Sequence, residues 1–125
     1  MSITWVAILE SSSARIHLLD AANRSLVFLK EVSARPGADA AVVSQNMMTD
    51  LARYLDVNSE KDQFAHLVLV SEPKRAGGLA GALGKRTCMK YIGSVMAPNG
   101  SKDLKVIFES IEKLYANDLG IAAAK

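Results

Sequence analysis

The chain has 125 residues, half of them hydrophobic and 22% charged. That composition excludes a disordered segment and fits a single domain, large enough to bury a core without staples. Fifteen basic residues against thirteen acidic ones leave a formal charge of +2, far from a histone-like excess, and the single cysteine, Cys88, excludes an internal disulfide and a multi-cysteine zinc site. Two histidines, His17 and His66, are too few for a histidine-rich metal centre. No apolar run approaches the roughly 18 residues of a membrane span. The opening Met-Ser-Ile-Thr-Trp lacks the basic start of a secretory signal. The expectation is one cytoplasmic domain over 1–125.

The first third reads as strands. Residues 3–9 (ITWVAIL) are almost continuously apolar, which suits a central strand covered on both faces. After the polar Glu10-Ser11-Ser12-Ser13, residues 14–20 (ARIHLLD) alternate, with Ile16 and Leu18 on one face and Arg15 and His17 on the other. This places His17 at the surface. Residues 25–32 (SLVFLKEV) make a third strand, and the short turns between strands favour an antiparallel meander. Pro36-Gly37 then punctuates the chain, and Asp39 can cap a helix starting near Ala40. Val43, Met47, Leu51, Tyr54 and Leu55 form its apolar stripe, and it should end near Asp56-Val57-Asn58.

Residues 59–63 read as a polar loop, and 66–70 (HLVLV) as a short buried strand with His66 at its loop end. Residues 74–87 form a weaker helix with Leu79, Ala82 and Leu83 on its apolar side. Gly77, Gly78, Gly81 and Gly84 each cost it about 1 kcal/mol relative to alanine. Residues 91–97 (YIGSVMA) give a fifth strand, stopped by Pro98-Asn99-Gly100. Ser101 and Asp103 favour the start of a last helix, whose stripe is Leu104, Ile107, Phe108, Ile111, Leu114 and Tyr115, and Gly120 can end it. The order β-β-β-α-β-α-β-α, with right-handed crossovers, gives a mixed five-stranded sheet in the order 3-2-1-4-5 with helices on both faces. That is a three-layer α/β arrangement of the ribonuclease-H-like class, which hosts both enzymes and binding proteins.

Two segments carry a resemblance. The opening ITWVAILESSSARIHLLD resembles the W-V-x-V-x-x-x-x-x-A-R-I start of the bacterial host attachment protein family, proteins required for attachment to host cells. The middle HLVLVSEPKRAGGLAGAL resembles that family's L-V-L-V-A-x-P-x-x-L-G-x-L-R segment, and Arg35-Pro36-Gly37 sits where the family often has R-P-G-R. Two departures stand out: Arg75-Ala76-Gly77-Gly78 replaces an apolar-Leu-Gly pattern, and Ala38 stands where arginine is common. The family is in turn similar to the middle domain of archaeal and eukaryotic peptide-chain release factors and Pelota. This resemblance implies the same fold, and ribosome or RNA contact as the physical activity. The release-factor Gly-Gly-Gln loop would fall between the third strand and first helix. Residues 33–39 (SARPGAD) contain no glutamine, and the one Gly-Gly pair, Gly77-Gly78, is followed by leucine, which disfavours peptidyl-tRNA hydrolysis by that route.

Four groups of residues are candidates for chemistry. Lys74, Arg75, Gly77 and Gly78 stand at an expected helix start, where free backbone N–H groups and two cations suit a phosphate. Lys85, Arg86 and Lys90 can extend this into a basic strip. Gly84-Lys85-Arg86 is no Walker motif, because Leu79 and Arg86 stand where Gly and Ser or Thr are needed. Glu10 and Glu72 end neighbouring strands and could hold Mg²⁺ with Asp50 as a third carboxylate, but ordinary solvated turn residues are the simpler account. Ser11-Ser12-Ser13 lacks a nucleophile elbow and reads as turn chemistry. Cys88 reads as a packing residue, with Arg86 and Lys90 near enough in sequence to lower its pKa otherwise; Trp5, Met47 and Met48 read as core. The reading is a non-enzymatic, cofactor-free module whose segment 74–90 contacts the ribosome or structured RNA. The alternatives are a Mg²⁺-dependent nuclease or phosphohydrolase at Glu10 and Glu72, and a protein-interaction factor; the oligomeric state stays open.

Overall fold

Six consecutive buried residues, Thr4–Leu9, form β1, and their alternation decides the layering. Trp5, Ala7 and Leu9 point to one face of the sheet, and Val6 and Ile8 to the other. The computed structural model describes residues 3–10, 13–20, 22–33, 39–96 and 104–118, with side chains to residue 114. β2 (Ser13–Asp20) and β3 (Ser25–Ser33) extend an antiparallel meander from β1. β4 (His66–Val70) pairs parallel with β1, and β5 (Tyr91–Val95) parallel with β4. The sheet order is β3-β2-β1-β4-β5, as the right-handed crossover argument requires.

The helices are α1 (Ala40–Glu60), α2 (Pro73–Ala82), α3 (Lys85–Lys90) and α4 (Leu104–Asp118). Asp39 caps α1 as expected, its carboxylate accepting the Val42 N–H at 3.0 Å. Met47, Leu51 and Leu55 of α1 and Ala76 and Leu79 of α2 cover the Trp5 face of the sheet. Trp5 lies 4.8 Å from the Phe64 ring and 6.1 Å from Tyr54, centroid to centroid. On the opposite face Ile107, Phe108 and Ile111 of α4 meet Val6, Ile8, Leu26, Val68 and Val70. Each such fully buried Leu or Ile contributes about 1.5–3 kcal/mol over leaving it in water. The result is the three-layer α/β sandwich.

Several boundaries shift, each for a tertiary reason. The single helix expected over 74–87 is two helices, broken at Leu83 and Gly84, which are extended. α1 runs past Asn58 to Glu60 because Ser59 is fully buried and its carbonyl takes donors from elsewhere in the chain. His17 is 3% exposed, not at the surface, because β2 is an interior strand and Phe28 of β3 packs edge-on at 5.6 Å. β3 skips Leu29 where it pairs with Ile16 and His17, a bulge that bends this edge strand. β5 ends at Val95, and a register shift beside it falls at Gly93, whose φ of 153° suits glycine. The residues 97–103, with Pro98-Asn99-Gly100, Ser101 and Asp103, lie outside the described residues, as do Gly120 and the Tyr115 side chain.

Candidate functional site

The crossover from β4 into α2 positions the first group of candidates. Ser71 continues from β4 and donates its N–H to the Val95 carbonyl at 2.9 Å, tying the turn to β5. Pro73 occupies the first turn of α2, where its missing N–H costs nothing. Glu72 stands at the N-cap in extended conformation and makes no side-chain cap. Lys74 is exposed and Arg75 half-buried; among the described residues neither side chain has an ion-pair or hydrogen-bond partner. Gly77 and Gly78 follow on the exposed side, while Ala76 and Leu79 face the core. A β-carbon at Gly77 or Gly81 would meet nothing within 4 Å, so this side of α2 presents bare backbone to solvent.

The remaining cations of the segment behave differently. Lys85 is exposed and has no ion-pair partner among the described residues. Arg86 and Lys90 converge on Asp62: Arg86 Nη2 lies 2.8 Å from Asp62 Oδ1, and Lys90 Nζ 3.0 Å from the same oxygen. Both cations also donate to the Ser59 carbonyl, at 3.2 and 2.8 Å. They therefore satisfy the C-terminal end of α1, where orphan carbonyls and the helix dipole favour positive charge. Hydrogen bonds from Arg86 and then Lys90 hold the Asp62 carboxyl below the usual aspartate range, and Asp62 in turn raises the Arg86 pKa. The Lys90 ammonium sits 5.3 Å from the Phe64 ring centroid with only 14% of its side chain exposed.

Nor is the start of α3 open to an anion. The Asp56 carboxylate of α1 accepts the Gly84 N–H at 2.9 Å and the Thr87 hydroxyl at 2.6 Å. The basic strip is thus divided along its length. α2 runs from the carboxyl end of β4 toward the end of the sheet where β5 begins, about 15 Å for ten residues. Lys74 and Arg75 stand at one end of that span; Arg86 and Lys90 stand at the other, clamped to α1. Asp56 and Asp62, which decide this, carry no sequence signal beyond being acidic residues near a helix end.

The carboxylates proposed for Mg²⁺ are not assembled. Glu10 pairs with Arg15 at 3.3 Å and accepts the Ser13 hydroxyl at 3.4 Å. Glu72 is exposed beside Pro73, and Asp50 lines a groove with Arg53 and Tyr54. Among the described residues no three His, Cys, Asp or Glu side chains gather into a metal-binding group. Ser13 acts in turn chemistry, as its sequence setting implies; Ser11 and Ser12 lie outside the described residues. Cys88 is exposed, against the packing role expected of it, because α3 is too short to bury both sides; its thiol lies 3.6 Å from the Ala80 and Leu83 carbonyls. His66 opens β4, half-buried. Residues 34–38, with Arg35-Pro36-Gly37 and Ala38 of the expected loop, lie outside the described residues.

A five-stranded mixed sheet in the order 3-2-1-4-5, with helices on both faces, defines an α/β fold of the type seen in release-factor middle domains. Among solved structures, the chain is similar to Pelota from Archaeoglobus fulgidus (TM-score 0.63, 9% identity), covering 90% of this chain and 32% of that one. It is also similar to the archaeal translation termination factor aRF1 (TM-score 0.58, 15% identity, 98% and 36% covered) and to a further archaeal protein (TM-score 0.59, 14% identity, 98% and 35% covered). The chain therefore spans about a third of the length of each, and at these identities the likeness is one of fold. No family model matches the sequence, and no curated protein matches it. The release-factor side of the resemblance thus has a structural counterpart, while the host-attachment side rests on the quoted residues alone.

Proposed function

We propose that this chain is a non-enzymatic release-factor-like module, a single domain that binds the ribosome or structured RNA through the start of α2. The observation that carries the reading is the combination of this fold with Lys74 and Arg75 left unpaired at an exposed helix start. Lysine and arginine side chains that reach phosphates release counterions, so such binding needs no metal and weakens steeply with salt. Bare backbone at Gly77 and Gly81 lets a partner approach closely. Arg86 and Lys90, clamped by Asp62, serve mainly to hold α3 to α1 and play a lesser part in the contact. A translation-linked role inside the cell would connect to a host-attachment phenotype only indirectly.

The test is co-sedimentation of the protein with ribosomes at low and high salt. Wild type migrates with ribosomal particles at low salt and leaves them at high salt. The double variant Lys74→Glu/Arg75→Glu lowers the salt slope of binding by about two, roughly one for each lost phosphate contact. Migration only at the top of the gradient in both salts refutes the reading. Undiminished association of the charge-reversed variant refutes the site.

A further inference from the structure

Asp62 breaks two local rules at once. It follows Lys61, the C-cap of α1, with φ at 53°, a left-handed position that glycine or asparagine normally fills. It also puts a carboxylate at the C-terminal end of a helix, where the dipole and the orphan carbonyls favour cations. What compensates is tertiary. Arg86 Nη2 lies 2.8 and 3.0 Å from its two oxygens, and Lys90 Nζ 3.0 Å from one of them.

The two cations are held in place without Asp62. Arg86 Nε and Lys90 Nζ both donate to the Ser59 carbonyl, and the Lys90 ammonium packs 5.3 Å from the Phe64 ring centroid. Two fixed cations gripping one anionic group are an oxyanion site, and Asp62 is the oxyanion now in it. Its side chain is 65% exposed and that of Arg86 50%, so the pair contributes little and the carboxylate can turn out to water. Only Nη2 of Arg86 reaches Asp62, so the two-nitrogen fork of the strongest arginine–oxyanion pairs is not formed. A cavity of about 270 Å³, lined by Ile3, Asp62, Phe64, Ala65 and Lys90, opens beside the ammonium and leaves room for a larger anion.

Resting on the proposed function, we propose that Arg86 and Lys90 form a second phosphate site for the same RNA, which Asp62 occupies until a backbone phosphate displaces it. A phosphodiester carries the same single charge on two oxygens as the carboxylate it replaces. Lys74 and Arg75 stand at the far end of α2, about 15 Å for its ten residues, so one RNA strand can reach both ends. The lesser part that Arg86 and Lys90 play in the contact is then the work of Asp62, an internal competitor that sets the affinity of the whole face.

The experiment is fluorescence anisotropy of a fluorescein-labelled RNA hairpin with the full chain, titrated across a salt series. Asp62→Asn is expected to bind about tenfold tighter at about 50 mM salt, with a slope steeper by roughly one, as one phosphate contact is gained. Asp62→Gly, which also accepts the positive φ, is expected to do the same. Arg86→Gln is expected to change wild-type binding little but to abolish the gain of Asp62→Asn, a coupling that general loss of negative charge does not produce. Glu60→Gln, which removes an exposed charge two residues away, is the control and is expected to give no comparable gain. Matching thermal melts confirm that the variants fold. Wild-type affinity and slope in Asp62→Asn and Asp62→Gly overturn the inference, as does an equal gain in Glu60→Gln or an equal cost of Arg86→Gln in both backgrounds. A gain for unlabelled polyglutamate as competitor, with none for the hairpin, overturns it in favour of an acidic protein. In each case weakened binding by Lys74→Glu/Arg75→Glu leaves the proposed function standing. If wild type and Asp62→Asn bind neither hairpin nor ribosomes, both fall.

Discussion

Replacing Asp56 by alanine tests the argument that α3 exists because α1 caps it. The carboxylate accepts the Gly84 N–H from both oxygens, at 2.9 and 3.2 Å, and the Thr87 hydroxyl at 2.6 Å. Loss of an N-terminal cap costs about 1 kcal/mol. Thr87 is 1% exposed, so removing the acceptor of its hydroxyl leaves a buried donor, at about 1–3 kcal/mol. The sum is about 2–4 kcal/mol, a large share of the roughly 5–15 kcal/mol a domain has. In urea unfolding the midpoint should fall by about 1–2 M at unchanged slope. Thr87→Val removes the orphaned hydroxyl, so the two substitutions should couple by about 1–3 kcal/mol in a double-mutant cycle. Asp56→Asn, which keeps an acceptor oxygen, should cost less than Asp56→Ala. An Asp56→Ala protein within about 0.5 kcal/mol of wild type would refute the capping argument, as would full additivity with Thr87→Val.

Two further outcomes follow from the same geometry. Gly77→Ala and Gly81→Ala should each stabilise the protein by about 0.5–1 kcal/mol in urea unfolding, since α2 gains a better helix former and the new methyl meets nothing within 4 Å. The same substitutions should weaken ribosome association where the bare side of α2 is the docking surface; stabilisation with undiminished association would separate that side from the contact. Burial, with the Arg15 charge acting in the same sense, holds the His17 pKa below its ordinary value of about 6.5. The unfolded chain therefore takes up a proton that the folded chain refuses, and the His17 contribution is complete above about pH 6.5 and declines as pH falls toward the folded pKa. Stability of His17→Leu, followed by urea midpoints from about pH 7.5 to 5, should fall less steeply than that of wild type; parallel curves would refute this account.

Much of the scaffold is legible in local pattern. The nearly continuous apolar run at Thr4–Leu9 suits a strand covered twice, and Asp39 ahead of a stripe at Met47, Leu51 and Leu55 suits the start of a helix packed on one side. These signals are local because periodicity and capping act over a few residues. His17 shows where that reasoning stops. Alternation gave it the face opposite Ile16, but what covers that face is the Phe28 ring of the neighbouring strand, a contact not written in the residues of β2. Cys88 fails in the opposite sense, exposed because α3 is a single short turn-and-a-half held from one side.

The candidate site divides along the same line. Composition, charge and spacing alone determined that one cysteine cannot make a multi-cysteine zinc site and that a run of cations falls in the segment 74–90. Sequence also determined the order of the five strands and the places of α1 and α4, because each element's apolar period is written in its own residues, but not the break that divides 74–87 into α2 and α3. Only the tertiary structure decided which cations are free. Asp62 reaches Arg86 and Lys90 across 24 and 28 residues, and Asp56 reaches Gly84 across 28, so the strip is clamped at one end and open at Lys74 and Arg75. The physical reason is that a side chain's charge belongs to the residue, but its availability belongs to whatever the fold brings within hydrogen-bond distance.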